Sequence, residues 1–133
     1  MSGPAEESDA GDEMEDSDGT GPDEVERFDG ETGAAEGETT GVILDSLFRT
    51  IEQRRATLPE DSYTASLFTH EKGENAVLEK LGEESTELIL AAKDDDLENL
   101  TEESADLVYH LLVLFAVKGL TVDDLRAELE SRF

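Results

Sequence analysis

Two acidic pairs constrain this chain more than any other feature. They are Glu84-x-x-Glu87 and Glu103-x-x-Asp106, set in the stretch LEKLGEESTELILAAKDDDLENLTEESADLVYHLL at residues 78–112. On a helix, residues three apart share a face, with Cβ atoms about 5–6 Å apart, so each pair can aim two carboxylates at one point. Glu84 and Asp106 are equally far in sequence from Asp95, and so are Glu87 and Glu103. Two antiparallel helices joined by a tight turn in Lys93-Asp94-Asp95-Asp96 would set Glu84 level with Asp106 and Glu87 level with Glu103. Four carboxylates then converge on one patch. Such charges cannot sit together unpaired, because each raises the pKa of the others and burial adds to the cost. A hard divalent cation resolves the conflict, and all-oxygen ligation favours Mg²⁺, Mn²⁺ or Ca²⁺ over zinc.

The apolar pattern around these pairs is helical throughout. Ile43, Leu44, Leu47, Phe48 and Ile51 recur at helical spacing, which predicts a helix from Val42 to about Ala56, capped by Thr39 or Thr40. Pro59 breaks it, residues 57–63 form a loop, and Thr64 is expected to cap a short helix through His70. A third helix is expected over about 75–93, with Val77, Leu81, Leu88 and Ala92 facing inward and Lys80, Glu84, Glu87 and Ala91 along the edge of that face. Gly82 in mid-helix costs roughly 1 kcal/mol against alanine, which a close approach by another helix or a ligand would explain. The fourth helix, about 97–118, follows Asp94-Asp95-Asp96, residues suited to a cap and first turn. Its expected core face is Leu97, Leu100, Ser104, Leu107, Val108, Leu111 and Phe115, with Asn99, Glu103, Asp106 and His110 at one edge. Leu111 to Val117 is apolar on every side, so burial on every side is expected, with a homo-oligomeric interface supplying the cover. Lys118-Gly119 ends the helix. Thr121 and Asp124 resemble a capping box for a last helix whose Val122, Leu125 and Leu129 face inward. No strand pattern or internal repeat is present. The fold class expected is all-α: a helical bundle around an antiparallel helix hairpin, completed by homo-oligomerisation as a dimer or higher assembly.

Composition divides the chain at residue 40. Residues 1–40 are rich in Glu, Asp, Gly, Ser and Thr, and cannot bury enough apolar surface to offset their ordering entropy, so this acidic extension is expected to be disordered. Residues 41–133 form the single all-α domain. Net charge is −26 against only 10 Lys and Arg, which argues against nucleic acid and anionic membranes as partners. The same excess, persisting after residue 42, suits a cytosol of very high salt, where a Debye length of about 3 Å screens self-repulsion. Without cysteine there is neither a disulfide framework nor a thiolate metal site. No apolar run reaches the roughly 18–20 residues of a membrane span, and the acidic N-terminus lacks the features of a signal peptide, so a cytoplasmic protein is expected.

A solvated acidic face is the plainer account of four carboxylates in so acidic a chain. Against it, these four lie beside the core face rather than opposite it, and their levels match across the expected turn. Di-iron bundles would want Glu-x-x-His motifs, and no histidine accompanies Glu84 or Glu87. His110 is more simply a satisfied histidine at the core edge than a ligand. Ser62, Tyr63 and Thr64 place three hydroxyls together, as turn and capping chemistry or as phosphate and ribose contacts.

Several segments taken together resemble a known family. They are Ser62-Tyr63-Thr64 with Leu67-Phe68, then Glu79-Lys80-Leu81-Gly82-Glu83-Glu84 with Glu87-Leu88 and Ala91-Ala92-Lys93, then Glu103-Ser104-Ala105-Asp106-Leu107-Val108-Tyr109-His110-Leu111-Leu112. Over residues 42–133 the chain resembles phosphoribosyl-ATP pyrophosphohydrolase, the second enzyme of histidine biosynthesis. The acidic pairs are shared with the wider all-α nucleoside-triphosphate pyrophosphatase superfamily. The resemblance implies a small-molecule nucleotide substrate and Mg²⁺-dependent hydrolysis of the α–β phosphoanhydride of phosphoribosyl-ATP. On that expectation Glu84, Glu87, Glu103 and Asp106 are the metal ligands and catalytic carboxylates, and Lys80, Lys72, Ser62, Tyr63 and Thr64 contact substrate. A house-cleaning pyrophosphatase acting on ordinary or damaged triphosphates, and a non-catalytic helical oligomerisation module, are the alternatives.

Overall fold

The computed structural model describes residues 40–133, and the acidic extension expected over residues 1–40 lies almost wholly outside them. Five helices and no strand occur among the described residues: α1 Thr40–Thr57, α2 Tyr63–Phe68, α3 Glu74–Lys93, α4 Leu97–Lys118 and α5 Val122–Arg132. The domain is all-α. None of these helices is by itself long and apolar enough to cross a membrane.

Local chemistry sets each boundary. α1 ends at Leu58, held in the left-handed region (φ 48°) before Pro59. Ser62, rather than Thr64, caps α2: its Oγ accepts from the Ala65 amide at 3.0 Å, while Thr64 sits inside the helix and is buried. Gly73 (φ 63°) opens α3. Three residues then turn the chain into α4. Asp95 takes the left-handed conformation (φ 57°), which aspartate tolerates better than most side chains. The Asp96 amide reaches back to the Ala91 carbonyl at 3.0 Å, and the Asp96 carboxylate accepts from the Asn99 amide at 3.1 Å. Gly119, left-handed at φ 80°, closes α4, and Thr121 and Asp124 form a complete capping box for α5.

α3 and α4 lie against one another, and α1 packs on α4, α2 and α5. The core joins Phe48 and Ile51 of α1, Leu67 of α2, Val77 of α3, Tyr109, Leu112, Val113 and Ala116 of α4, and Val122 of α5. Three expectations need correction. On α3 the buried stripe is Val77, Glu84 and Ala91, each seven residues apart, while Ala92 is exposed. Glu84 therefore continues the core stripe instead of edging it. On α4 the buried set is Tyr109, His110, Leu112, Val113 and Ala116; Leu97 is 69% exposed and Val108 also faces out. The core cluster draws on Val77 of α3 and Tyr109 to Ala116 of α4, residues far from the turn, so apolar periodicity at Leu97 does not translate into burial. On α5, Val122 is buried but Leu129 is exposed. Within the apolar run Leu111–Val117, Leu112, Val113 and Ala116 are buried, while Leu111, Leu114, Phe115 and Val117 are half-buried.

Candidate metal centre

The carboxylates meet where the Val77–Glu84–Ala91 stripe faces α4. Ligand oxygens of Glu84, Glu103 and Asp106 all lie within 4.8 Å of one another, with Glu84 buried and the other two half-buried. Glu87, the fourth expected member, is exposed and stands outside this trio, but it is close enough to Glu103 to raise the pKa of that carboxyl. Glu84 from α3 thus faces Asp106 and Glu103 from α4, and Glu87 faces Glu103.

The electrostatics are those of an uncompensated cluster. Burial, followed by the charges of Asp106 and Glu103, pushes the Glu84 carboxyl up to about 8; Lys80 pulls the other way. Burial and the neighbouring Glu87 push Glu103 up to about 7. Glu84 Oε1 is buried and has no hydrogen-bond partner. A buried carboxylate oxygen without a donor costs roughly 1–3 kcal/mol or more, and two further carboxyls gathered on the same point add like-charge repulsion. An all-oxygen donor set with one orphaned, inward-facing oxygen is what a hard divalent cation completes. The residues fit such an ion.

A neutral relay backs the cluster. His110 is 1% exposed. Its Nδ1 donates to the Asp106 carbonyl at 2.9 Å, so Nε2 accepts from the Tyr63 hydroxyl at 3.1 Å. Burial holds its pKa down at about 4. The 3.8 Å approach of Nδ1 to Glu84 Oε2 is accordingly a contact with a neutral ring and not an ion pair. Behind it the Thr64 and Tyr109 hydroxyls hydrogen-bond one another out of solvent. Of the three hydroxyls expected to meet substrate, Ser62 is spent on the cap, Thr64 is 1% exposed, and Tyr63 alone lines a cavity.

That cavity, of about 310 Å³, is also lined by Ser66, His70, Lys72, Glu79, Lys80 and Glu83. Both lysines expected at the site are therefore on its wall. Lys72 pairs with Glu79 at 3.0 Å and Lys80 with Glu83 at 3.6 Å. His70 was not singled out from the sequence. The usable signal was its rarity, one of two histidines, two residues before a lysine in a chain poor in cations. His110 was recognised only as a satisfied core histidine; its contact with the Asp106 backbone follows from the four-residue spacing.

A family model described as phosphoribosyl-ATP pyrophosphohydrolase matches residues 44–133. Curated relatives include the phosphoribosyl-ATP pyrophosphatase of Haloarcula marismortui, 74% identical over 93 residues, which cover 70% of this chain and 95% of the relative. That of Haloquadratum walsbyi is 66% identical over 90 residues, 68% of this chain and 90% of the relative. That of Clostridium botulinum is 49% identical over 90 residues, 68% of this chain and 80% of the relative.

Proposed function

The chain belongs to the phosphoribosyl-ATP pyrophosphohydrolase family, and from that premise we propose that it hydrolyses 1-(5-phosphoribosyl)-ATP to 1-(5-phosphoribosyl)-AMP and pyrophosphate, the second step of histidine biosynthesis. The observation that carries the reading is the convergence of Glu84, Glu103 and Asp106 around the orphaned Glu84 Oε1. A hydrolase of phosphoanhydrides needs charge neutralisation at this kind of point.

In this reading Glu84, Glu103 and Asp106, with Glu87 beside them, would hold Mg²⁺. When bound, the ion neutralises charge on the triphosphate and polarises its phosphoryl oxygens. The remaining work falls to the chain. Glu87, beside Glu103 and open to solvent, orients the attacking water and takes its proton. The water oxygen bonds to the α-phosphorus as the α–β anhydride breaks, and pyrophosphate leaves. Lys80, one turn before Glu84 and close enough to lower its pKa, and Lys72 contact phosphate oxygens. Ser62 and Thr64 fix the start of α2 and so aim Tyr63, while His110 holds the Asp106 backbone.

A homo-oligomer completes the unit. Leu78 and Ile89 of α3, and Leu97 and Val108 of α4, are exposed. Each pair is eleven residues apart, three helical turns, and so shares one stripe. Gly82 lies on the first stripe, with no atom of the chain within 4 Å of where a Cβ would be. A second copy packing along these stripes would bury them.

The test is pyrophosphate release from phosphoribosyl-ATP against a panel of ordinary triphosphates, with Mg²⁺ and with a chelator. Phosphoribosyl-ATP should be preferred and the chelator should stop the reaction. Equal turnover of dUTP, or turnover insensitive to chelation, would overturn the assignment.

A further inference from the structure

His110 touches both helices of the acidic cluster. On α4 its Nδ1 donates to the carbonyl of Asp106 at 2.9 Å. The same nitrogen lies 3.8 Å from Oε2 of Glu84 on α3. Nδ1 therefore faces a carbonyl oxygen, which can only accept, and a carboxyl oxygen, and a bare nitrogen there would set lone pairs against one another. The opposite nitrogen agrees with a hydrogen on Nδ1: Nε2 then accepts from the Tyr63 hydroxyl of α2 at 3.1 Å. The ring is also held by packing. Tyr63 and Tyr109 meet it edge-on, at centroid distances of 6.0 and 4.9 Å, and it is almost wholly out of solvent.

The two oxygens of Glu84 are not equivalent. Oε2 lies beside Nδ1–H, while Oε1 is buried without a hydrogen-bond partner. At 3.8 Å the first contact is too long for a hydrogen bond, so it leaves the carboxyl unsatisfied and acts as a dipole facing it. Once Glu84 loses its proton, as a metal ligand must, that dipole favours Oε2 against the ring and leaves Oε1 for an ion. The other tautomer, with Nδ1 bare, would repel Oε2. Donors that stand behind a ligating side chain fix its orientation, and their loss typically costs about 10–100-fold in metal affinity.

Resting on the metal-dependent reading above, we propose that His110 is a positioning residue for the metal centre: set as the Nδ1–H tautomer between the Tyr63 hydroxyl and the Asp106 carbonyl, it orients the Glu84 carboxylate of α3 toward the point it shares with Asp106 and Glu103 of α4. It touches neither ion nor substrate and transfers no proton.

Two measurements on the full chain test it. Nitrogen-15 NMR of the histidine rings should place the His110 hydrogen on Nδ1 with and without Mg²⁺, and a hydrogen on Nε2 in either state overturns the proposal without any variant. Calorimetric titration with Mg²⁺ then compares the parent with His110→Leu and His110→Asn, in molar KCl to screen the diffuse attraction of a chain of net charge −26 for divalent ions. His110→Leu should bind Mg²⁺ about tenfold more weakly or worse, while His110→Asn, whose amide can donate from near the Nδ1 position, should keep most of the affinity. A purely structural histidine would lower the urea midpoint of both variants and leave Mg²⁺ affinity of the folded protein unchanged. That result, or His110→Asn binding as weakly as His110→Leu, overturns the positioning role. A parent chain whose Mg²⁺ affinity depends on His110 but which releases no pyrophosphate from phosphoribosyl-ATP overturns the proposed reaction and leaves the positioning role standing.

Discussion

Binding of Mg²⁺ should expel protons, and the number follows from the two raised carboxyls. With Glu84 at about 8, roughly nine-tenths of the metal-free protein carries a proton there at pH 7; with Glu103 at about 7, roughly half does. A metal ligand must be deprotonated, so binding at pH 7 should release about one to one and a half protons, and at pH 9 only about a tenth of one. Apparent affinity should therefore climb about 20-fold over those two pH units. Calorimetry in two buffers of different ionisation enthalpy measures the released protons directly. Release below about a third of a proton at pH 7, or an affinity flat with pH, would refute the claim that Glu84 and Glu103 are the ligands.

The same shifts fix the sign of stability against pH without metal. Both folded-state pKa values lie above the ordinary 4.5, so the native state binds protons that the unfolded chain does not. The contribution is complete below pH 4.5 and is lost as pH rises through about 7 and 8. For Glu84, which is almost wholly buried, the loss is on the order of 5 kcal/mol at most. Glu103 adds less, since it is half-exposed. Metal-free protein should thus weaken toward alkaline pH while Mg²⁺ restores it. Glu84→Gln should flatten the metal-free profile and abolish both the Mg²⁺ response and pyrophosphate release. A Glu84→Gln profile as steep as the parent's would show that the titration lies elsewhere.

Other expectations follow from single contacts. Tyr63→Phe strips buried His110 Nε2 of its donor and should cost about 1–3 kcal/mol, read as a lower urea midpoint at unchanged slope; an unchanged midpoint would mean water replaces the hydroxyl. Raising KCl from about 0.1 M to 2 M should raise the melting temperature, because screening relieves a net charge of −26; a falling melting temperature would show that repulsion does not limit stability. Ile89→Asp, at a residue 55% exposed within one chain, should reduce the mass seen by light scattering to that of a single chain while leaving helix content intact. Parent protein already running as a single chain would remove the second copy from the account.

The helices were legible because their end signals are local: the Asp96 cap, Gly119 and the Thr121–Asp124 box need no knowledge of the tertiary fold. The carboxylate trio was legible for a related reason, since equal sequence distances from Asp95 fix which residues meet once a short turn is granted. What the sequence hid was which side of each helix its neighbours would cover. Leu97 and Val108 have the right chemistry for a core and face outward: Leu97 stands at the turn, away from the core cluster, and Val108 lies at one flank of the α4 face that carries buried Tyr109, Leu112, Val113 and Ala116. Glu84 has the wrong chemistry and lies on the buried stripe with Val77 and Ala91. That inversion is the informative one. A fold selected for stability alone would put an apolar side chain at residue 84, since a buried, unpartnered carboxyl destabilises it. Its place on the core stripe, with one oxygen lacking any donor from the chain, makes sense if the missing partner is supplied from outside, and a divalent cation satisfies three ionised carboxylates together.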